Sequence, residues 1–320
     1  ARSAASRPRL FRRRAVVGWL SRLLGRWGEG EGAGLGVDEL ARRLGMTAGE
    51  LRSVRVRYRR FSVRKRGGGM RRLAAPSPEL RRVQRLILRR VLGRLRAHEA
   101  VVGFERGRSF VHHAAFHAGR AVVVRIDVRD FFPSTRAARV EAYFRRIGWG
   151  PEAARLLTAL CTHKGALPQG APTSPRLSNL VNWEVDARCQ GLADRLGARY
   201  SRYADDLTFS FDEDDRERIR RLLFRVREIL EECGYRMHMK RKLHIRRRHQ
   251  RQEVTGLVVN DGRARLPREV RRWLRAVEHR ARTGGRVSLT AAQLEGWRAL
   301  ARMVEEQGVT GAGEAGEVER

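Results

Sequence analysis

The sequence has few cysteines, few acids and no long apolar run, and each shortage excludes something. The three cysteines, Cys161, Cys189 and Cys233, are scattered and have no CxxC spacing. That pattern rules out a disulfide framework or a thiolate zinc site, so they read as reduced, buried thiols of a cytoplasmic protein. The most apolar early stretch, AVVGWLSRLLGRWG, is interrupted by Arg22 and Arg26. It falls short of the roughly 20 apolar residues of a membrane span and reads as a basic amphipathic helix. No signal-peptide pattern stands out, and no stable membrane association is expected. Acids are outnumbered: 35 Asp and Glu against 69 Lys and Arg give a formal net charge of +34. A surplus of that size repels itself unless a polyanion shares it. Nucleic acid is therefore the leading partner class, ahead of an anionic membrane surface. The 42% hydrophobic content over 320 residues suffices for a real core in one large or two to three modest domains.

What is present is an interleaving of helix and strand signals without strict βαβ alternation, which predicts the α+β class. GEGEGAGLG reads as a flexible joint after an Arg-rich start. VDELARRLGMTAGELRSV has helical spacing and is split into two short helices by Gly45. YRRFSVRKRGGGMRRLAAP reads as a hairpin around a glycine turn. SPELRRVQRLILRRVLGRL predicts a helix capped by Ser77 with Pro78 at its first position. RAVVVRIDV reads as a buried strand, and ARYSRYADDLTFSF as two strands around a tight turn. DRERIRRLLFRVREILEECG predicts a helix ended by Gly234, with the preceding DEDD as capping residues. EVTGLVVND reads as one further strand, and the stretch from LPREVRRWLRAVEHRARTG onward as helical.

The adjacent carboxylates of YADD, Asp205 and Asp206, sit among Tyr203, Leu207, Phe209 and Phe211, which are core-type residues and not those of a solvated turn. Asp127 ends the buried strand VVRID. If that strand lies beside the YADD hairpin, three carboxylates converge, an arrangement unfavourable without counter-charge. Two Mg2+ ions about 3.5–4 Å apart reverse that sign, and can activate a 3′-hydroxyl and steady a pyrophosphate leaving group. The reaction this pattern points to is nucleotide polymerisation, with the basic surface holding template and primer.

The motifs IDVRDFFPS, LPQGAPTSPRLSNL, YADD and VTGLVVN, in that order, resemble those of prokaryotic reverse transcriptases, most closely the retron type. GFERGRSFVHHAAFH and the block RKRGGGMRRLAAP…LRRVQRLIL share that resemblance, which runs from about residue 38 to 275. It implies a right-hand polymerase: a basic extension and linker at 1–37, fingers at 38–120, a palm with an antiparallel sheet at 121–260 (including a finger/palm loop and helix at 161–180), and a helical thumb and tail at 261–320. It further implies that Asp127, Asp205 and Asp206, with the backbone carbonyl of Val128, hold the metals. Phe132 matches the aromatic gate that excludes a 2′-hydroxyl. Asp130 and Phe131 match positions offering backbone N–H groups to the triphosphate, Lys65 and Arg71 the basic finger residues, and Gln169 and Gly170 the loop against the nucleotide. Tyr203, Thr255 and Gly256 match primer and template positions.

The implied activity is RNA-directed DNA synthesis from dNTPs on a structured non-coding RNA that is template and primer, begun at an internal 2′-hydroxyl. The implied setting is antiphage defence with an accessory effector protein. Alternatives are a CRISPR-associated, group II intron-like or other defence reverse transcriptase, or a non-catalytic RNA-binding scaffold. The stretch after VTG is too short here for the maturation and endonuclease domains of an intron protein. The family lysine after YADD aligns with Arg241, between Lys240 and Lys242, and arginine is a poor proton donor. His113 and His117, one helical turn apart, lack further ligands at metal spacing and are read as packing or RNA contacts. The Arg246–Arg248 run is read as a phosphate contact, and Trp273 as a candidate nucleic-acid platform.

Overall fold

The structure is a computed structural model, and it describes residues 34–64, 68–238 and 243–309. The expectations for residues 1–33, Lys65, Lys240, Arg241 and Lys242 lie outside the described residues.

Two short helices open the described chain, α1 (Val37–Leu44) and α2 (Ala48–Ser53). Gly45 separates them with φ +65°, a left-handed conformation that costs glycine no Cβ clash. A hairpin follows, β1 (Tyr58–Arg64) with β2 (Met70–Pro76), and then α3 (Pro78–Ile87). The Ser77 side chain accepts from the Leu80 N–H at the start of α3, and the helix runs on as a π turn over Leu88–Leu92. These elements share one apolar core with α6 (Ala137–Arg146), α7 (Pro151–Cys161) and α8 (Ser174–Val181), built on Leu40, Leu80, Ile87, Phe144 and Leu157.

The second core is a four-stranded antiparallel sheet in the order β4-β5-β3-β6. Its strands are β3 (Val122–Asp127), β4 (Ala198–Tyr203), β5 (Asp206–Phe211) and β6 (Leu243–Arg247). Alternation along the strands gives the sheet two unlike faces. Val122, Val124, Ile126, Leu207, Phe209 and Phe211 pack with α9 (Trp183–Leu196) and α10 (Arg216–Glu232). Asp215 caps α10 by accepting from the N–H groups of Glu217 and Arg218, as DEDD predicts. The opposite face carries Val123, Arg125, Asp127, Asp206, Thr208 and Ser210. It is covered by α4 (Phe110–Phe116), by α12 (Ala291–Gln307) and by a small hairpin, β7 (Glu253–Val254) with β8 (Leu257–Val258). The short α5 (Phe131–Ser134) follows β3, and α11 (Arg268–Arg282) packs on α12 through Leu274, Val277 and Leu294.

Two expectations need correction. EVTGLVVND is a two-stranded hairpin, not one strand: Thr255 and Gly256 take φ +48° and +84°, which turns the chain back on itself. Cys161 and Cys189 are buried, but Cys233, at the end of α10, is only half-buried. Arg246 and Arg247 belong to β6, where Arg247 pairs with Asp214 at 2.6 Å, and Arg248 donates to the Gly119 carbonyl. Among the described residues, no helix is long and apolar enough to cross a membrane.

Candidate active site

The antiparallel register of β3 and β5 sets Asp127 directly against Asp206. Residues paired in this way project their side chains to the same face, so two carboxylates from distant parts of the chain share the polar face of the sheet. Asp205 lies in the two-residue turn between β4 and β5, and its carbonyl accepts from the Val128 N–H at 2.9 Å. The segment carrying Asp127 and Val128 is thereby stitched to the YADD turn.

That turn is held from beneath. Ala204 takes φ +58°, a sign that primed hairpin turns require and that costs an L-residue roughly 1–2 kcal/mol. Arg202, fully buried, donates to the Ala204 carbonyl at 3.0 Å and makes a bidentate pair with Asp186 at 2.7 Å on each oxygen. The Tyr200 hydroxyl donates to the same carboxylate, and its burial beside Asp186 pushes its pKa well up. Gly103 packs against the turn from the other side: a Cβ there would lie 2.8 Å from the Ala204 nitrogen and 3.2 Å from the Tyr203 Cα. The loop after it is pinned to α8, where Asn179 donates to the Gly103 carbonyl and to Glu105, and Arg176 pairs with Glu105.

Charge on the polar face is balanced by Arg125. Its Nη2 and Nε lie 2.6 and 3.1 Å from Asp206 Oδ2, and its Nη1 donates to the Glu253 carbonyl at the foot of the β7–β8 hairpin. Thr208 donates to the other Asp206 oxygen at 3.3 Å. His238 donates its backbone N–H to the Asp127 carbonyl, with its ring 3.9 Å from the Asp127 carboxylate. The donors are hard oxygens of the kind that suit Mg2+. Among the described residues, no three His, Cys, Asp or Glu side chains are gathered closely enough to hold an ion, and Asp206 is drawn onto Arg125.

A cleft of about 500 Å3 is lined by Arg71, Arg81, Arg85, Phe104, Phe132, Gln169 and Gly170, among others. It gathers four residues that the sequence motifs single out, Arg71, Phe132, Gln169 and Gly170. The Gln169 carbonyl accepts from the Ala74 N–H at 2.8 Å, so LPQG is docked on β2. Gly170 takes φ +124°, and a Cβ there would lie 2.9 Å from the Ala74 carbonyl oxygen, so only glycine fits. Phe132 is half-buried and meets Phe131 edge-on at 5.6 Å. Phe131 is buried between Phe132, Tyr235 and the Arg202 guanidinium, so its side chain belongs to the core. Asp130, exposed with φ +47°, leads into α5, whose first-turn N–H groups lack intrahelical acceptors. Thr255 and Gly256 stand apart from the cleft at the β7–β8 turn, where the Thr255 hydroxyl donates to the Phe110 carbonyl.

A family model described as reverse transcriptase (RNA-dependent DNA polymerase) matches residues 63–259. The chain belongs to that family. Its relatives place it in the retron branch. It is 38% identical over 309 residues to the Retron Mx162 reverse transcriptase of Myxococcus xanthus, an alignment covering 84% of this chain and 64% of that protein. It is 38% identical over 294 residues to the Retron Mx65 reverse transcriptase of the same organism (83% and 68%). It is 37% identical over 226 residues to the Retron Ec86 reverse transcriptase of Escherichia coli (70% and 69%). The chain thus spans slightly less than two thirds of the length of the Mx162 protein.

Motif reading did not find every residue of this reverse transcriptase site. Arg81 and Arg85 are one turn apart on α3 and, read from sequence, belong to the polar side of an amphipathic helix; their i, i+4 spacing was the available signal. Phe104 is exposed, takes φ +63°, and lies 6.1 Å ring to ring from Tyr203, which joins the cleft to the YADD hairpin. Arg125 stood out only as a charge inside an otherwise apolar run.

Proposed function

We propose that this retron-type reverse transcriptase synthesises DNA on an RNA template by two-metal nucleotidyl transfer. The observation that carries the reading is the pairing of Asp127 with Asp206 beside the YADD turn, with Tyr203 of that hairpin in ring contact with Phe104 of an arginine-lined cleft. Asp127, Asp205, Asp206 and the Val128 carbonyl would hold two Mg2+ ions, which when bound lower the pKa of the attacking hydroxyl and neutralise the leaving pyrophosphate. For Asp206 to serve as a ligand, its contact with Arg125 would have to yield. Arg71, Arg81 and Arg85, with Lys65, bind the triphosphate, and arginine suits this by its bidentate fork. Backbone N–H groups of Asp130 and Phe131 orient the phosphates. Phe132 would act as the aromatic gate, its ring filling the space a 2′-hydroxyl needs, so that overlap selects deoxynucleotides. Gln169 and Gly170 form the wall against the base pair, while Tyr203, Thr255 and Gly256 face primer and template.

In hand-like terms the fingers would be residues 38–120, the palm 121–260 with a finger/palm loop and helix at 161–180, and the helical thumb and tail 261–320. The template and primer are a structured non-coding RNA, the product a single-stranded DNA joined to it, and the setting cytoplasmic antiphage defence with an effector protein. The net charge of +34 supports a polyanionic partner. A primer-extension assay tests the core of the reading. Asp205→Ala and Asp206→Ala should each lower DNA synthesis by about two orders of magnitude or more. Synthesis equal to that of the unaltered chain would overturn it.

A further inference from the structure

Helix α4 and the residue that caps its C-terminus carry two histidines, His113 and His117, that nucleotidyl transfer does not use. His113 and His117 are fully buried against the polar face of the sheet. Four residues of helix rise about 6 Å and two residues of strand about 6.6 Å, so an i, i+4 pair on α4 can meet an i, i+2 pair on β5. It does so: His113 Nε2 lies 3.1 Å from Thr208 Oγ1, and His117 Nδ1 lies 2.8 Å from Ser210 Oγ. The second His117 nitrogen reaches Ser201 on β4, so His117 staples the two hairpin strands together.

His113 leads elsewhere. The Thr208 hydroxyl donates to Asp206 Oδ1. A hydroxyl has one proton to give, so in this arrangement Thr208 must accept from His113, which fixes the ring as the Nε2–H tautomer. Nδ1 is then a bare acceptor, and it is buried without a hydrogen-bond partner. Leaving a buried ring nitrogen unmatched is unfavourable, and a phenylalanine would fill the same space without that penalty. Burial, with Arg125 nearby, lowers the His113 pKa to about 3, so the ring stays neutral and keeps its single donor.

We infer that His113 is a positioning residue that acts through Thr208 to aim the Asp206 carboxylate at the metal site. Asp206 is then held on both oxygens, by the His113–Thr208 relay on Oδ1 and by Arg125 on Oδ2. Loading of the site requires only the Arg125 contact to yield; the relay keeps the other oxygen in place while it does. This inference rests on Asp206 being a metal ligand.

The test is Mn2+ binding to the full chain without nucleic acid, followed by electron paramagnetic resonance, alongside thermal melting and a Mg2+ titration of primer extension. His113→Phe and Thr208→Val should each weaken Mn2+ binding roughly tenfold, the usual size for loss of an outer partner of a metal ligand. His113→Gln, which can again present an N–H, should recover most of the loss. The double variant should be no weaker than either single one, because both cut the same chain. His117→Phe should lower the melting temperature without moving the Mn2+ midpoint. Asp206→Asn separates the two claims. If it binds Mn2+ like the unaltered chain, the ligand assignment fails. If it binds weakly while His113→Phe and Thr208→Val bind normally, the relay alone is overturned. Multiplied losses in the double variant would also overturn the relay. Should His113→Phe fail to fold, Thr208→Val and His113→Gln decide by the same midpoints.

Discussion

Asp127 faces Asp206 across the antiparallel register of β3 and β5, and Arg125, two residues back on the same strand, is clamped to Asp206. The three charges occupy one face because strand side chains repeat every second residue. A carboxylate pair on one face needs a cation, and Arg125 supplies one from within the chain.

Arg125→Gln should therefore separate stability from metal response. Removing the guanidinium loses two charge-assisted hydrogen bonds to a partly buried carboxylate, worth roughly 1.5–3 kcal/mol. In EDTA the variant should melt at a lower temperature than the unaltered chain. Added Mg2+ should then stabilise it more than it stabilises the unaltered chain, because no internal cation has to be displaced. Differential scanning fluorimetry with and without Mg2+ reads both effects. An equal response to the ion in the two proteins would show that Arg125 does not compete for the site.

Sugar choice is the second expectation. Phe132 is half-buried, braced edge-on by Phe131, and lines the cleft with Gln169 and Gly170. A braced ring cannot swing aside cheaply, since the core behind it is close-packed. Phe132→Ala should lower the dNTP-over-rNTP ratio of kcat/KM by roughly 10- to 200-fold, the range expected when a pocket loses one filling group. Single-nucleotide incorporation kinetics measure it, and unchanged discrimination would remove the gate from Phe132.

The buried histidines predict an acid limb of stability. His113 and His117 are held neutral by burial, with His113 lowered to about 3 and His117 well below its usual value. A folded-state pKa below the unfolded one means the unfolded chain binds the extra proton. The stability is fully present above about pH 6.5 and is lost as pH falls from there toward 3. The slope is at most about 1.4 kcal/mol per pH unit for each histidine. Melting temperature should fall between pH 7.5 and pH 5, and His113→Gln should flatten part of that decline. A decline of equal steepness in His113→Gln would assign the limb to other groups.

The motifs were legible because each couples a turn or a strand end to a chemical residue type. Gly45, Ser77 and Asp215 mark helix ends through local backbone chemistry, and the YADD hairpin shows in the alternation of Leu207, Phe209 and Phe211. What stayed hidden depends on distant partners. VTGLVV is rich enough in β-branched residues to look like one strand, and only the positive φ at Thr255 and Gly256 splits it. Arg81 and Arg85 are exposed and look like a plain solvated helix side; only the docking of LPQG on β2 makes them the rim of a cleft. Likewise, nothing local to His113 announces Thr208, which approaches it only when α4 docks on the sheet.

Gly103 offers the most direct probe of how the YADD turn is held. A methyl group there would press to within 2.8 Å of the Ala204 nitrogen and 3.2 Å of the Tyr203 Cα, both backbone atoms that no rotamer change can move. The turn cannot retreat, because Arg202 grips the Ala204 carbonyl from within the core and is itself locked to Asp186. The strain must then appear either as lost stability or as a displaced Asp205. Gly103→Ala should cost roughly 1–3 kcal/mol, the usual penalty of overpacking. It should also lower kcat for DNA synthesis, with little change in affinity for an RNA–DNA duplex, because the basic surface is untouched. Chemical denaturation and a binding isotherm on the same preparation separate the two readouts. If kcat is unchanged at full stability, the loop after Gly103 has room to give, and it does not set the position of the YADD turn.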